Sequence, residues 1–295
     1  LTAPILAAAA QVAGLPDGVL NIVYGSGPVV GEAMSAHPGI DMISFTGSTA
    51  AGKRISVAAS ATVKRVGLEL GGKTANIVLE GADIDAAVDA TLMNIFSNSG
   101  QACGAWARLL VPAALHDEIV GKLVAGAAAY AVGDPNAETT RVGPVASEAQ
   151  WERVNGYIER GIAEGATVAI GGPGRIPGFE NGAFIRPTIF TNVDPGATIA
   201  QEEIFGPVLT VIAYAREEDA IAIADGTVYG LTASIYGEHQ HALAIAKRLH
   251  VGQVYINGAD FNPLAPFGGY KQSGNGREMG HAGLEEFTEV KAIQL

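Results

Sequence analysis

The chain has 295 residues, 48% of them hydrophobic and 16% charged, with a formal net charge of -12. That is the length of about two ordinary domains, and the apolar excess is the reverse of a disordered chain's composition. The acidic surface repels phosphate backbones and anionic headgroups, which excludes nucleic acid and membrane as partners, and no apolar stretch approaches the ~20 residues of a membrane span.

In chain order, a helix is predicted at Thr2–Ala13, a turn at LPDG, and a strand at VLNIVY, residues 19–24. The turn GSGPVVG then opens a helix, MISF reads as a strand, and GSTAAG leads into a helix ending near Thr62. Two successive strand, glycine-turn and helix units point to part of a nucleotide-binding sheet. Strands follow in VKRVGLEL and TANIVL, then a helix over Asp83–Ser97 and the small-residue segment SNSGQACGA. A second α/β unit begins at ARLLVP. Residues 133–147 and 171–183 break the periodicity and read as surface loops. The last ten residues, EFTEVKAIQL, have the β content of a terminal strand whose partner is not evident. Alternating β and α patterns of this kind define an α/β fold.

GLELGGKT, Gly67 to Thr74, satisfies the phosphate-loop pattern G-x-x-x-x-G-K-[ST]. Such a loop needs a helix directly after it, and ANIVL reads as a strand, so a glycine turn between strands is the stronger reading. FTGSTAAGKR has the better setting, a strand before and a helix after, whose N-terminal amides attract a pyrophosphate. It lacks G-x-G-x-x-G, carries Arg54 where the phosphate loop has Ser or Thr, and weighs about evenly against an ordinary β–α turn. A lone cysteine is more often inert, but Cys103 lies between Gly100-Gln101-Ala102 and Gly104, small neighbours that leave room for a ligand and for backbone N–H donors. Glu69 is an isolated carboxylate among apolar residues; taken alone it reads as a solvated strand-end charge, and beside a nucleophile it suits a base. The six histidines form no ligand array and no serine sits in G-x-S-x-G, so neither a metal site nor a hydrolase elbow is expected. With no disulfide partner for Cys103 and no leader ahead of the first helix, a cytoplasmic location is expected.

Together these segments resemble the aldehyde dehydrogenase superfamily: FTGSTAAG, ELGGK at Glu69–Lys73, GQAC ending at Cys103, EEIFGPV at Glu202–Val208 and PFGGYKQSGNGRE at Pro266–Glu278, with Glu69 and Cys103 34 residues apart. The resemblance runs over essentially the whole chain. It implies a partial Rossmann-like dinucleotide-binding domain at residues 1–71, an α/β catalytic domain at 72–275 and a C-terminal segment with an oligomerisation strand at 276–295. The implied activity is NAD(P)+-dependent oxidation of an aldehyde to a carboxylic acid. Cys103 matches the nucleophile, Glu69 the base that activates the hydrolytic water, and Glu278 a second carboxylate that assists proton movement. NAD or NADP is expected near Gly27, Gly31, Thr46, Gly47, Ser48, Leu70, Gly71, Glu203 and Phe205. Ala102, Gly104, Phe261 and Phe267 match the substrate pocket, and Thr74-Ala75 replace the usual Ser-Pro.

The resemblance also implies a homodimer or homotetramer. Leu1 aligns just after the family's Lys-Pro-x-x-x-x-Pro stretch, so the part carrying the oxyanion-hole asparagine and the adenine-ribose contacts is expected to precede it. The 295 residues therefore read as a fragment. The competing readings are a catalytically silent paralogue or interaction module on the same fold, and a P-loop NTPase.

Overall fold

A computed structural model describes residues 2–295. The chain forms two compact units, one of Leu1–Ser44 with Lys53–Val66 and one of Phe45–Gly52 with Gly67–Leu295.

The first unit contains α1 (Thr2–Val12), a π-helical turn at Gly27–Gly31 and α2 (Glu32–Ala36). The strand expected at residues 19–24 does not form: Val19, Leu20, Val23 and Tyr24 are exposed, and the bonds there are local, such as the Val19 N–H donating to Pro16 O at 3.2 Å. β-branched residues supply propensity, but a strand needs a neighbour to take its N–H and C=O groups, and none of the described residues does so. The chain continues through β1 (Met42–Thr46), α3 (Thr49–Ala59) and β2 (Arg65–Glu69). Within the first unit, Arg54 Nε donates to Glu32 Oε2 at 2.8 Å.

The second unit is built on β3 (Ala75–Val78), β4 (Arg108–Pro112), β5 (Thr167–Ile170), β6 (Thr188–Thr191), β7 (Val208–Tyr214), a short β8 (Tyr229–Gly230), β9 (Thr232–Tyr236) and β10 (Gln253–Ile256). Seven of these form one sheet in the order β10-β9-β3-β4-β7-β6-β5, parallel except for the antiparallel edge pair β5 and β6. A parallel sheet must be covered on both faces, so its strands read as continuous apolar runs. Ala75, Ile77, Leu110, Ile212 and Ile235 point to one face, where they pack with α6 (Glu148–Ala163), α7 (Thr198–Gln201), α8 (Glu217–Asp225) and α9 (His239–Ala246). Val78, Leu109, Val111 and Val211 point to the other, against α4 (Ile84–Phe96) and α5 (His116–Ala127). The two-residue alternation along β4 and β7 sends neighbouring side chains into different cores.

Two small sheets complete this unit. β11 (Tyr270–Lys271) pairs with β8, and β12 (Gly274–Asn275) pairs antiparallel with the Leu68–Glu69 end of β2, placing Gly274 opposite Glu69. The final helix, α10 (Gly280–Glu286), takes Glu286, and the residues after it form no strand. Val290 and Ile293 are exposed, and no described strand pairs with them, so the segment expected to pair with a second subunit takes no strand among the described residues.

Candidate active site

Four backbone segments of the larger unit converge. The first is the turn Thr46-Gly47-Ser48 after β1, where the Gly47 N–H donates to Glu69 O at 3.0 Å and Ser48 Oγ accepts the Ala51 N–H at 3.2 Å, capping α3. The second is the turn that follows Glu69, where the Leu70 N–H donates to Ser273 O at 2.9 Å and the Gly72 N–H to Glu203 Oε1 at 3.2 Å.

The third carries Cys103. After α4 the chain turns through three consecutive left-handed residues, Asn98 (φ 49°), Ser99 (φ 56°) and Gly100 (φ 72°). Glycine is required at the last, because a Cβ there would lie 2.1 Å from Gly206 O. The strained turn is tied down on several sides. Ser99 Oγ donates to Gly143 O at 2.9 Å, Gln101 Oε1 accepts the Ala146 N–H at 2.8 Å, and Asn94 Oδ1 accepts the Trp106 N–H at 2.7 Å.

The fourth segment, Glu202–Phe205, is clamped by one face of α6. Tyr157 donates its hydroxyl hydrogen to Glu202 Oε2 at 2.7 Å, Arg153 donates to Glu203 O at 2.8 Å, and Gln150 Nε2 donates to Phe205 O at 2.8 Å. Phe205, with φ at 61°, is held by these contacts in a conformation costly for a non-glycine residue.

These segments enclose a cavity of about 540 Å³, within the range of small-molecule sites. Ten residues singled out from sequence line it together: Thr46, Gly47, Ser48, Glu69, Leu70, Gly71, Ala102, Cys103, Glu203 and Phe205. Gln101, which the sequence places next to Ala102 without a role, lines it as well, as do Gln150 and Arg153, which the sequence does not single out because nothing in α6 tells which polar face meets the Glu202–Phe205 turn. Six others stand outside the lining. Gly27 and Gly31 belong to the smaller unit, and a Cβ at either meets nothing within 4 Å, so the chain itself does not demand glycine there. Gly104 lies beside Thr232, whose Oγ1 would be 3.4 Å from a Cβ at that position. Phe261 is exposed and stacks edge-on to Phe267 with centroids 6.5 Å apart, and Phe267 exchanges both backbone hydrogen bonds with Glu278 at 2.7 Å.

The electrostatics are those of a reactive site. Glu69 is 5% exposed rather than a solvated strand end, and neither carboxyl oxygen has a hydrogen-bond partner among the described residues. Burial, with the charge of Glu278 adding to it and Arg277 opposing, pushes its carboxyl up to about 7. Burial also raises the Cys103 thiol, reinforced by Glu69 and Glu203, while the N–H groups of Gly104 and Cys103 pull it back. At neutral pH Cys103 therefore rests as a thiol in the same cavity as a half-ionised carboxyl. Glu203 is raised by burial and drawn back by the Gly72 N–H, Arg153 and Lys73.

Lys73, the lysine of the phosphate-loop pattern, is 3% exposed with no hydrogen-bond partner for Nζ among the described residues. Burial first, then Arg108, bring it down to about 7 against the pull of Glu203 and Glu202. β3 follows it directly, so no helix N-terminus faces a phosphate there. Thr74 uses its hydroxyl in a 2.7 Å hydrogen bond with Thr232.

The nicotinamide end of a dinucleotide was expected between the 46–48 turn, Leu70-Gly71 and Glu203, and the residues present fit it. A Cβ at Gly71 would come within 2.4 Å of Glu203 Oε2, so a side chain there would displace that carboxylate, which lines the cavity and can accept from a diol. Among the described residues no group of three or more His, Cys, Asp and Glu could hold a metal ion, and no helix is long and apolar enough to cross a membrane.

A family model described as the aldehyde dehydrogenase family matches residues 1–293. The chain is 49% identical over 281 residues to a 3-succinoylsemialdehyde-pyridine dehydrogenase of a Pseudomonas species, covering 95% of this chain and 59% of that protein. Among solved structures, a mutant aldehyde dehydrogenase C from Pseudomonas syringae, complexed with NAD+ and octanal, matches with a TM-score of 0.97 and 51% identity, over 99% of this chain and 61% of that one. An aldehyde dehydrogenase from Mycobacterium tuberculosis complexed with NAD+ matches with a TM-score of 0.95 and 46% identity, over 98% and 59%. The chain thus spans about three-fifths of the length of these relatives.

Proposed function

From the premise that the chain belongs to the aldehyde dehydrogenase family, we propose that it carries the acyl-transfer centre of an enzyme oxidising an aldehyde to a carboxylic acid with NAD+. The observation that carries this reading is the meeting of Cys103, Glu69 and the Thr46–Ser48, Leu70-Gly71 and Glu203 segments around one cavity. Residues 1–71 serve as part of the dinucleotide-binding domain, 72–275 as the catalytic domain and 276–295 as the C-terminal segment.

In the first step the Cys103 sulfur adds to the aldehyde carbonyl carbon, its proton passing to Glu69, and the backbone N–H of Cys103 faces the oxyanion that forms. NAD+, when bound, supplies the acceptor for the hydride lost from that adduct. A thioester is left on Cys103. Glu69, having released the thiol's proton to solvent, then takes a proton from water, the water oxygen forms a bond to the acyl carbon, the C–S bond breaks, and Glu69 returns the proton to the sulfur as the acid leaves. A carboxyl with a pKa of about 7 suits both proton transfers at neutral pH. Glu278 assists through its charge, which raises Glu69. Gly104, Phe261 and Phe267 form the outer substrate wall, and Glu203 and Phe205 hold the nicotinamide ribose.

We place the enzyme in the cytoplasm, and as a homodimer or homotetramer, the latter supported by exposed Leu284, Phe287, Val290 and Ile293 along a C-terminal segment with no strand partner among the described residues. The test of the reading is NAD+ reduction with a panel of aldehydes, together with mass spectrometry of Cys103 after quenching. Acylation of Cys103 that depends on aldehyde and NAD+ is the expected result; turnover in Cys103→Ser would overturn it.

A further inference from the structure

The Glu69 carboxyl makes no hydrogen bond among the described residues, so its position is inherited from its backbone. Several ties on that backbone lead to one side chain outside the cavity lining. Ser273 is fully buried, donates its hydroxyl hydrogen to Gly71 O at 2.6 Å and accepts the Gly230 N–H at 2.9 Å. Its own carbonyl accepts the Leu70 N–H at 2.9 Å, and the next residue, Gly274, sits opposite Glu69 in the β2–β12 ladder.

The two backbones joined by this hydroxyl flank the cysteine loop. On the Gly71 side, a Cβ at Gly72 would come within 2.4 Å of Cys103 O; on the Gly230 side the chain runs into β9, where Thr232 backs Gly104. The packing around Ser273 is equally close, since a Cβ at Gly269 would meet its Cβ at 2.6 Å. A hydroxyl that both donates and accepts is the smallest group able to join a C=O to an N–H across such a gap.

We propose that Ser273 is a positioning residue: its hydroxyl, bridging Gly71 and Gly230, fixes the Glu69–Gly71 turn and thereby the placement of the Glu69 carboxyl relative to Cys103. This rests on the reading of Glu69 as the water-activating base. Loss of the bridge leaves a buried C=O and N–H unpaired, and the turn relaxes to find other partners.

The test uses p-nitrophenyl acetate on the full chain, because this ester acylates a thiol without any dinucleotide: sulfur bonds to the acetyl carbon and p-nitrophenolate leaves. The burst reports Cys103, and the rate after the burst reports water attack on the thioester. Ser273→Ala is expected to keep the burst amplitude and to lose roughly tenfold to a hundredfold in the later rate, the scale of a misplaced catalytic group. The pH midpoint of that rate, set near 7 by Glu69, should move down as water reaches the carboxyl. Ser273→Thr, which keeps the hydroxyl, should hold the midpoint near 7.

A wild-type later rate and midpoint in Ser273→Ala would overturn the proposal, as would equal losses in both variants with the midpoint unmoved. Should the alanine variant not fold, a shifted midpoint in Ser273→Thr overturns it and an unshifted one supports it. Failure of the underlying reading looks different: Glu69→Gln would then show the wild-type rate after the burst.

Discussion

Arg108 in the seven-stranded sheet and the Glu69–Lys73 turn beside it both bury charge, under opposite rules. The Arg108 guanidinium donates to Lys73 O, Ile223 O and Ala224 O at 2.7–2.9 Å, and the last two carbonyls close α8, where the helix dipole favours a cation. Glu69 and Lys73 are as deeply placed, yet neither charged group has a hydrogen-bond partner among the described residues. The same contrast holds for the backbone: the left-handed Asn98, Ser99, Gly100 and Phe205 belong to the segments around the cavity and none to the seven strands. A fully bonded charge is architecture, whereas unpaired titratable groups and, in neighbouring segments, left-handed turns are stability given up around the cavity.

The largest effect should come from removing the nucleophile. Cys103→Ser is expected to lower aldehyde oxidation by at least about 10⁴-fold and to abolish the p-nitrophenyl acetate burst. Wild-type Cys103 should be alkylated by iodoacetamide ever faster as pH rises, because its thiol is held above the ordinary value. A flat pH profile would break the electrostatic half of the comparison.

Next in size, Glu69→Gln should keep the burst amplitude, form it more slowly, and lose about 10²–10⁴-fold in the rate that follows, measured by stopped-flow absorbance. The base works ionised, so the wild-type rate should climb with pH through about 7.

Arg108→Met tests the other side of the contrast. It strands three buried carbonyls and should cost about 3–5 kcal/mol in denaturant unfolding. A loss below about 1 kcal/mol would show that the sheet does not depend on this charge.

Smaller shifts should separate the two unpaired groups by pH. The folded-state pKa of Glu69 lies above its unfolded value, so its stabilising contribution is full below about 4.5 and is lost as pH rises through about 7. Lys73 is lowered from 10.5 to about 7, so its penalty is full below 7 and fades toward 10.5. Glu69→Gln should therefore raise the melting temperature at pH 8 and not at pH 4, and Lys73→Met should raise it more at pH 6 than at pH 10, each by a few degrees. Calorimetry across that range decides it. Thr74→Ala should have the smallest effect, about 1 kcal/mol for the orphaned Thr232 hydroxyl, with no change in the ester burst. Mg-ATP binding abolished by this change would instead favour the phosphate-loop reading.

What the sequence determined by itself was local. The β-branched run ANIV after GGKT already spelled a strand and disqualified the phosphate loop, the apolar runs at β4 and β7 marked strands covered on both faces, and the small residues around Cys103 marked an accessible thiol. ELGGK, GQAC and EEIF singled out candidate reacting residues through resemblance, without their environment. Tertiary structure decided the rest. It buried Glu69, which taken alone read as a solvated charge, turned Gln150 and Arg153 of α6 toward the Glu202–Phe205 turn, and gave residues 19–24 and 287–295 no strand despite their β content. Burial, pKa and strand pairing each depend on what another segment of chain places nearby, and local periodicity carries no record of that neighbour.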